Sequence, residues 1–220
     1  MKRLSLLALL SVTAWLTGCA SPSVSSGYDY SALRESRPAT ILVLPPLNET
    51  PEVVAPAGML AQMTAPLAES GYYVVPVGVM VETFRQNGLD QPTDIHQVDP
   101  LRLRQIFGAD AALYTRIVEY GARYMVVGSV VKVQARTQLV DLRTGRVLWT
   151  GSGEAVKQNS NNNSGGGLIG LLLSAAIDQI ANHLSDAAYP LAGVASQRML
   201  SAGQAGGLLY GPRSPHYQPE

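Results

Sequence analysis

VKVQARTQLVDLRTGRVLWTGSGEA, residues 131–155, reads as a strand, a turn and a returning strand. Val131, Val133, Ala135, Thr137 and Leu139 fall on one side of an alternating pattern, with Lys132, Gln134, Arg136 and Gln138 on the other. Side chains alternate faces along a strand, so this pattern predicts one buried face and one face in water. Asp141-Leu142-Arg143-Thr144-Gly145 ends the first strand in a turn, and residues 146–155 return as its hairpin partner carrying Trp149.

Upstream, residues 111–120 and 123–142 are also strand-like, so three antiparallel strands are expected. Earlier still, strand and helix patterns alternate. TILVL at 40–44 is a β-branched and aliphatic run closed by Pro45-Pro46, which cannot donate to a sheet ladder. Met59, Met63 and Leu67 recur every four residues and predict a helix through Glu69, with Gly71 as its C-terminal cap. YYVVPV at 72–77 reads as a second strand, and 79–86 as a short helix ended by Asn87-Gly88. Asp99-Pro100 pairs an N-cap with proline at the first helical position, and a helix over 101–107 follows until Gly108 stops it. The expected fold is α/β: one domain over residues 39–200 with a mixed sheet. Two N-terminal strands alternate with helices, antiparallel strands follow, and helices cover the sheet.

Downstream, KQNSNNNSGGG at 157–167 is a polar low-complexity loop. Residues 168–177 are then nearly all apolar, and the helical pattern continues through Ile180, Ala181 and Leu184. Ten apolar residues are too few to span a bilayer. Three readings stand: a helix packed on the sheet, a buried face between copies of the chain, or a segment inserted in a bilayer as part of a pore. A helix apolar on nearly all sides needs more cover than one small sheet offers. That makes Leu168, Leu171, Leu172, Ile177, Ile180 and Leu184 the candidate interface of a homodimer. Residues 201–220 are rich in Gly and Pro and predict an extended or disordered tail.

The amino terminus has separate chemistry. Lys2 and Arg3 precede residues 4–16, which are apolar except for Ser5, Ser11 and Thr13. Residues 1–18 thus form a secretory signal. Leu16-Thr17-Gly18-Cys19 matches the bacterial lipobox: an aliphatic residue, two small residues, then cysteine. The match implies cleavage after Gly18 and attachment of acyl chains, palmitate among them, at Cys19. Two or more chains anchor a protein firmly, since each buried methylene contributes about 0.8 kcal/mol. Ala20 in place of Asp implies sorting to the outer membrane, on its periplasmic face or at the cell surface. Residues 19–38 are rich in Ser and Pro and read as a lipidated N-terminus and flexible tether.

Composition narrows the function. The chain has 220 residues, 46% of them hydrophobic, which suits one globular domain with tails. Its 16 Lys+Arg balance 16 Asp+Glu, and without Lys2 and Arg3 the acids lead by two, which argues against a dedicated nucleic-acid binder. A single cysteine excludes an intrachain disulfide framework and a Cys-rich zinc site. His96, with Asp94 and Asp99, has the residue types of a metal site, but Asp99 is engaged as an N-cap. His183, Ser185 and Asp186 are too close in sequence to align as a hydrolytic triad, and capping suits them better. His216 lies in the tail. Lys132, Arg143 and Arg146 suggest a modestly basic sheet end without aromatic stacking platforms. Gly151-Ser152-Gly153 lacks the helix start of a phosphate loop. No pattern here argues for catalysis, a cofactor or a resident metal.

Several stretches together carry a resemblance: ILVLPP at 41–46, GYYVVPV at 71–77, IFGADAALY at 106–114, LVDLRTGRVLW at 139–149 and SAGQAGGLLYGPRSP at 201–215. With the lipobox, they make the chain similar to a family of Gram-negative lipoproteins that includes a meningococcal surface antigen of the GNA series. LVDLRTGRVLW is also similar to segments of CsgG-type secretion lipoproteins and of the TolB N-terminal domain. The resemblance implies an α/β domain of the TolB N-terminal kind and a place in envelope lipoprotein clusters beside a CsgG-like partner. It brings no catalytic residues. A barrel strand needs about nine to eleven residues per crossing, and a pore subunit of the CsgG type needs two such hairpins. Only the hairpin at 131–155 approaches this. The expected function is that of a non-enzymatic outer-membrane lipoprotein, a component or assembly partner of a secretion or transport complex. The alternative is a periplasmic binding or regulatory module such as a cell-wall synthase activator.

Overall fold

A computed structural model of the chain describes residues 28–124, 129–158 and 187–218. In chain order its elements are α1 (Ser31–Ser36), β1 (Thr40–Val43), β2 (Leu47–Asn48), α2 (Ala55–Glu69), β3 (Tyr73–Val74), α3 (Val77–Gln86), α4 (Pro92–Ile95) and α5 (Pro100–Phe107). There follow β4 (Ala111–Tyr124), β5 (Ser129–Asp141), β6 (Val147–Gln158) and α6 (Ala188–Leu200).

The sheet runs β3-β1-β4-β5-β6, with β2 beside β4. β1 lies parallel to both β3 and β4, and β4, β5 and β6 are antiparallel, so the sheet is mixed. Pro45-Pro46 interrupts one line of chain rather than ending it: β1 pairs with β4 as far as Val43–Leu113, and β2 resumes at Leu47–Arg116. The second strand is shorter than expected. Only Tyr73 and Val74 pair with β1, because Pro76 has no N–H to donate and sits at the N-cap of α3.

The hairpin forms in the expected register. Leu139 faces Trp149 across β5 and β6, and Val131, Val133, Ala135, Thr137 and Leu139 are all buried. α2 and α6 pack side by side over that face. Thr115 donates its hydroxyl to the Met63 sulfur of α2, and Ser196 of α6 donates to the Met59 sulfur. A Cβ on Gly153 would stand 2.2 Å from the Ala195 carbonyl oxygen, so glycine here permits α6 to lie directly on β6. Gly151 makes room for the Trp149 indole in the same way. The Gly151-Ser152-Gly153 run is thus explained by packing.

On the opposite face Arg136 and Gln138 are exposed, as the alternation predicts. Around β1 both faces are closed, with Ile41, Leu42 and Val43 all buried. There His96 sets its ring edge-on to Tyr114 and bonds the Pro45 carbonyl.

Two readings of the ends need correction, and one helix was not anticipated. Residues 31–36, assigned to the flexible tether, form α1, whose Leu33 joins the core. Ala188, Leu191, Ala192, Ala195, Ser196 and Met199 line the buried face of α6, which the apolar run before it had overshadowed. The closing segment, read as an extended or disordered tail, folds back on the body and buries Leu208 and Gly211. Its polar backbone finds partners in the folded body, as the next section describes. The signal, Cys19 and residues 168–184 lie outside the described residues. Among the described residues no helix is long and apolar enough to cross a membrane.

Candidate functional site

The two ends of the sheet differ in chemistry. At one end β1, β3 and β4 begin and β5 finishes, and α1 and the C-terminal segment lie against it. The backbones of residues 70–72 and 209–213 meet there. Gly211 N–H donates to the Ser70 carbonyl at 2.8 Å, and Arg213 N–H to the Gly71 carbonyl at 3.0 Å. The Tyr72 hydroxyl donates to the Leu209 carbonyl at 2.7 Å. A Cβ on Gly211 would stand 2.6 Å from the Gly71 oxygen, and Gly71 has φ +94, so glycine at both positions permits the approach. Trp149 Nε1 donates to the Gly206 carbonyl at 3.1 Å, and the Tyr30 hydroxyl to the Gly207 carbonyl at 2.6 Å. GYYVVPV and GGLLYGPRSP are therefore two halves of one clasp.

Beside the clasp is a groove of about 520 Å³, with Arg34 and Arg37 from the α1 side and Tyr210, His216 and Tyr217 from the C-terminal segment. Tyr72 forms part of its wall, and burial pushes that phenol well above its ordinary range. Arg37 has φ 47 and donates Nε to the Arg34 carbonyl, which ties its guanidinium to the end of α1.

Two buried or partly buried carboxylates organise the same end. Asp110 accepts from the Ala39 and Thr40 amides, each at 3.1 Å, and pairs with Arg104. Asp141 accepts from the Arg143 amide at 2.7 Å, the Thr144 amide at 3.2 Å, Arg143 Nη2 and the Ser36 hydroxyl. Burial pushes the Asp141 carboxyl up, but the bonds from Arg143 and Ser36 with the Arg143 charge outweigh it and hold the group at about 2. It shapes the hairpin turn and ties α1 to it.

The histidine site is structural in this arrangement. A carbonyl only accepts, so His96 Nε2 carries the proton in its 2.8 Å bond to Pro45. Burial, partly offset by that bond, lowers the His96 pKa, with the Arg116 charge acting in the same direction as burial. Asp99 caps α5 as expected, accepting from the Leu101 amide at 2.8 Å and the Arg102 amide at 3.3 Å. Among the described residues no three His, Cys, Asp or Glu side chains gather as a metal site. The expected basic sheet end is divided. Arg143 and Arg146 lie at the turn, paired with Asp141 and Glu35, while Lys132 lies toward the far end, paired with Glu154 and Glu119.

Toward that far end, beside these ion pairs, lie three exposed apolar side chains. Val53 is 90% exposed, Val54 66% and Tyr189 50%. Glu52 packs near Gly121, and Tyr189 and Tyr120 both approach Gly58, which sets these residues toward the end where β4 finishes. The chain leaves β6 at Gln158 and re-enters at α6 on this side.

Comparison with known proteins places this architecture. Residues 28–213 match the family model described as "Putative lipoprotein GNA1162-like". The chain belongs to the GNA1162-like lipoprotein family. It is 49% identical over 193 residues to "Putative lipoprotein NMB1124/NMB1162" of Neisseria meningitidis serogroup B, covering 88% of this chain and 89% of that one. The crystal structure of lipoprotein GNA1162 from Neisseria meningitidis is 52% identical, with a TM-score of 0.54, over 66% of this chain and 100% of the other. A more distant likeness is the PelC dodecamer from Paraburkholderia phytofirmans, at 16% identity and TM-score 0.42, over 74% of this chain and 89% of that one.

The GNA1162-like match begins at the first described residue and ends inside the clasp. It takes in α1 and most of the segment that composition alone read as a tail. Gly203, Gly206 and Gly211 mark a turning chain in the sequence, but nothing local to them tells what that chain packs against. Cys19, His183 and the interface candidates Leu168, Leu171, Leu172, Ile177, Ile180 and Leu184 lie outside the described residues.

Proposed function

We propose that this family member is a non-enzymatic outer-membrane lipoprotein, anchored through acylated Cys19, whose domain is a component or assembly partner of an envelope secretion or transport complex. The observation that carries this reading is the polarity of the fold. The chain enters at the clasp end, nine residues after Cys19, and its exposed apolar residues Val53, Val54 and Tyr189 lie at the opposite end of the sheet. Ten strand residues separate the two ends, or about 33 Å at ~3.3 Å per residue. An anchor at one end leaves the other directed away from the bilayer and open to a partner. The described chain leaves β6 at Gln158 and resumes before α6 on that same side, and the apolar residues Leu168, Leu171, Leu172, Ile177, Ile180 and Leu184 of the intervening sequence are our candidates for the contact of a homodimer. A CsgG-like lipoprotein is the partner class that this reading favours.

Cross-linking in intact cells tests it, with a Cys19→Ser chain as the unanchored control. Recovery of a secretion lipoprotein that is lost in the control supports the reading. Recovery of a cell-wall synthase, with a rise in its rate on mixing, would replace it by the regulatory alternative. Leu172→Asp with Ile177→Asp should weaken the dimer, and an unchanged folded dimer would remove that segment from the contact.

A further inference from the structure

β6 is an edge of the sheet and runs for 12 residues, whereas the strand at the other end of the order, β3, has 2. An edge strand turns the N–H and C=O of alternate residues outward, where they form a template for another chain. Two contacts show which residues of β6 do so. The Thr150 amide donates to the Tyr28 hydroxyl at 2.8 Å, and the Glu154 carbonyl accepts from Arg198 Nη1 at 2.8 Å. Pairing with β5 keeps one register from Thr150 to Gln158, so Ser152 and Val156 also face outward. Tyr28 and Arg198 thus bracket a window. Within it the Thr150 carbonyl, both main-chain groups of Ser152 and the Glu154 amide have no partner among the described residues. An antiparallel strand of about five residues fills this window: its central residue exchanges two bonds with Ser152, and its outer residues reach the Glu154 amide and the Thr150 carbonyl. A cavity of about 550 Å³ lies against it, lined by Thr150 and Ser152 and by residues 204–207.

The neighbouring side chains select the chemistry of that strand. Across the open face one row of the sheet runs Arg116, Arg136, Ser152. Arg116 pairs with Glu49 at 2.8 Å, and Glu154 with Lys132 at 3.0 Å. Arg136 is exposed, stands directly opposite the like charge of Arg116, and makes no hydrogen bond or ion pair among the described residues. It lines the cavity, and no carboxylate does. Ser152 is short, so the next residue in the row, on a strand added beside it, stands two strand spacings or about 10 Å from Arg136, within reach of two long side chains. We propose that the free edge of β6 at residues 150–154 receives, by strand addition, an extended segment of another protein whose central side chain is a carboxylate that pairs with Arg136. This surface is separate from Val53, Val54 and Tyr189, and it rests on neither the Cys19 anchor nor the dimer contact.

The probe is the capped peptide KVEVT, whose lysine comes beside Glu154 and whose threonine comes beside Thr150. It is titrated into the isotope-labelled chain from residue 19 carrying Cys19→Ser, and the dissociation constant is read from the amide shifts of β6. The shifts should centre on Ser152. Glutamine in place of the peptide's glutamate should weaken binding about threefold, as expected for an exposed ion pair. Arg136→Gln should weaken the parent peptide to the same degree, after which the two peptides bind alike. Ser152→Pro removes an outward donor and no bond to β5, and should weaken binding about tenfold. Val156→Pro, outward but beyond the window, is the control and should bind as the parent does. No saturating shift in β6, equal binding of both peptides by the parent chain, or equal loss with Val156→Pro would each overturn the assignment. An oligomer of the parent chain that Ser152→Pro converts to monomer would give the edge to a second copy and overturn it as well. Thermal melts show whether the proline variants keep the fold. If Ser152→Pro melts early, the peptide N-methylated at its glutamate, which cannot donate to the Ser152 carbonyl, should lose binding to the parent chain to the same degree, and undiminished binding counts against the proposal.

Discussion

Replacing Asp141 by Asn removes one charge from the centre of the hairpin turn while keeping the shape of the side chain. In the folded chain the carboxyl sits at about 2 against an ordinary 3.8. A gap of roughly two units corresponds to about 2.5 kcal/mol of stability near neutral pH. The asparagine keeps one acceptor, but its amide nitrogen turns a donor toward the donors of Ser36, Arg143 or Thr144. The expected loss is therefore about 2–3 kcal/mol. Because the folded pKa lies below the unfolded one, this stabilisation is complete above about pH 4. It is lost as pH falls from there through about 2. Urea unfolding of the chain from residue 19, followed by the fluorescence of Trp149, measures both proteins across that range. The difference between parent and Asp141→Asn should be largest near neutrality and nearly vanish by about pH 2. A gap that stays constant down to that pH would refute the assignment of the stabilisation to the ionised carboxylate.

His96→Gln should remove part of the acid sensitivity below about pH 6.5, because a depressed folded pKa gives stability that is present above the unfolded value and lost as pH falls through the folded one. Urea midpoints measured above and below that pH check this. Gly153→Ala places a methyl against the Ala195 carbonyl and the Met199 side chain, and should cost about 2–3 kcal/mol or displace α6, read by thermal unfolding. Gly211→Ala should open the clasp, speeding hydrogen exchange at the Arg213 amide while leaving the hairpin amides protected. Val53→Asp with Val54→Asp should leave the melting temperature within a few degrees and reduce partner cross-linking in cells, since both side chains are exposed.

The sheet and the clasp show why some of this protein is readable in one dimension and some is not. In β5 the alternation of Val131, Val133, Ala135, Thr137 and Leu139 with polar residues is a local pattern with a local cause, the two-residue period of a strand. The cap at Asp99 and the stop at Gly108 are equally local, and both stand in the structure as expected. The lipobox around Cys19 is likewise complete within four residues. α6 was harder to see because small residues fill its buried face, and Ala188, Ala192, Ala195 and Ser196 give a weak hydrophobic signal. Their small size is what lets the helix lie against Gly153, a fact about a strand more than thirty residues earlier.

Residues 201–218 have the composition of a tail, and no local rule distinguishes a free glycine from one that admits another backbone. Gly211 is needed because Gly71 passes beneath it, and Trp149 has its indole N–H satisfied because Gly206 returns to it. Likewise Arg34 and Arg37 look like an ordinary charged stretch until the C-terminal segment folds back to set His216 and Tyr217 opposite them. Local spacing was enough for β1, the three antiparallel strands, the helices α2, α3 and α5, the hairpin turn and the α/β class, since each depends on neighbouring residues. Tertiary structure alone decided the clasp, the groove beside it and the polarity of the molecule. Each of these comes from contacts between residues far apart in the chain, whose hydrogen bonds and close approaches leave no periodic trace.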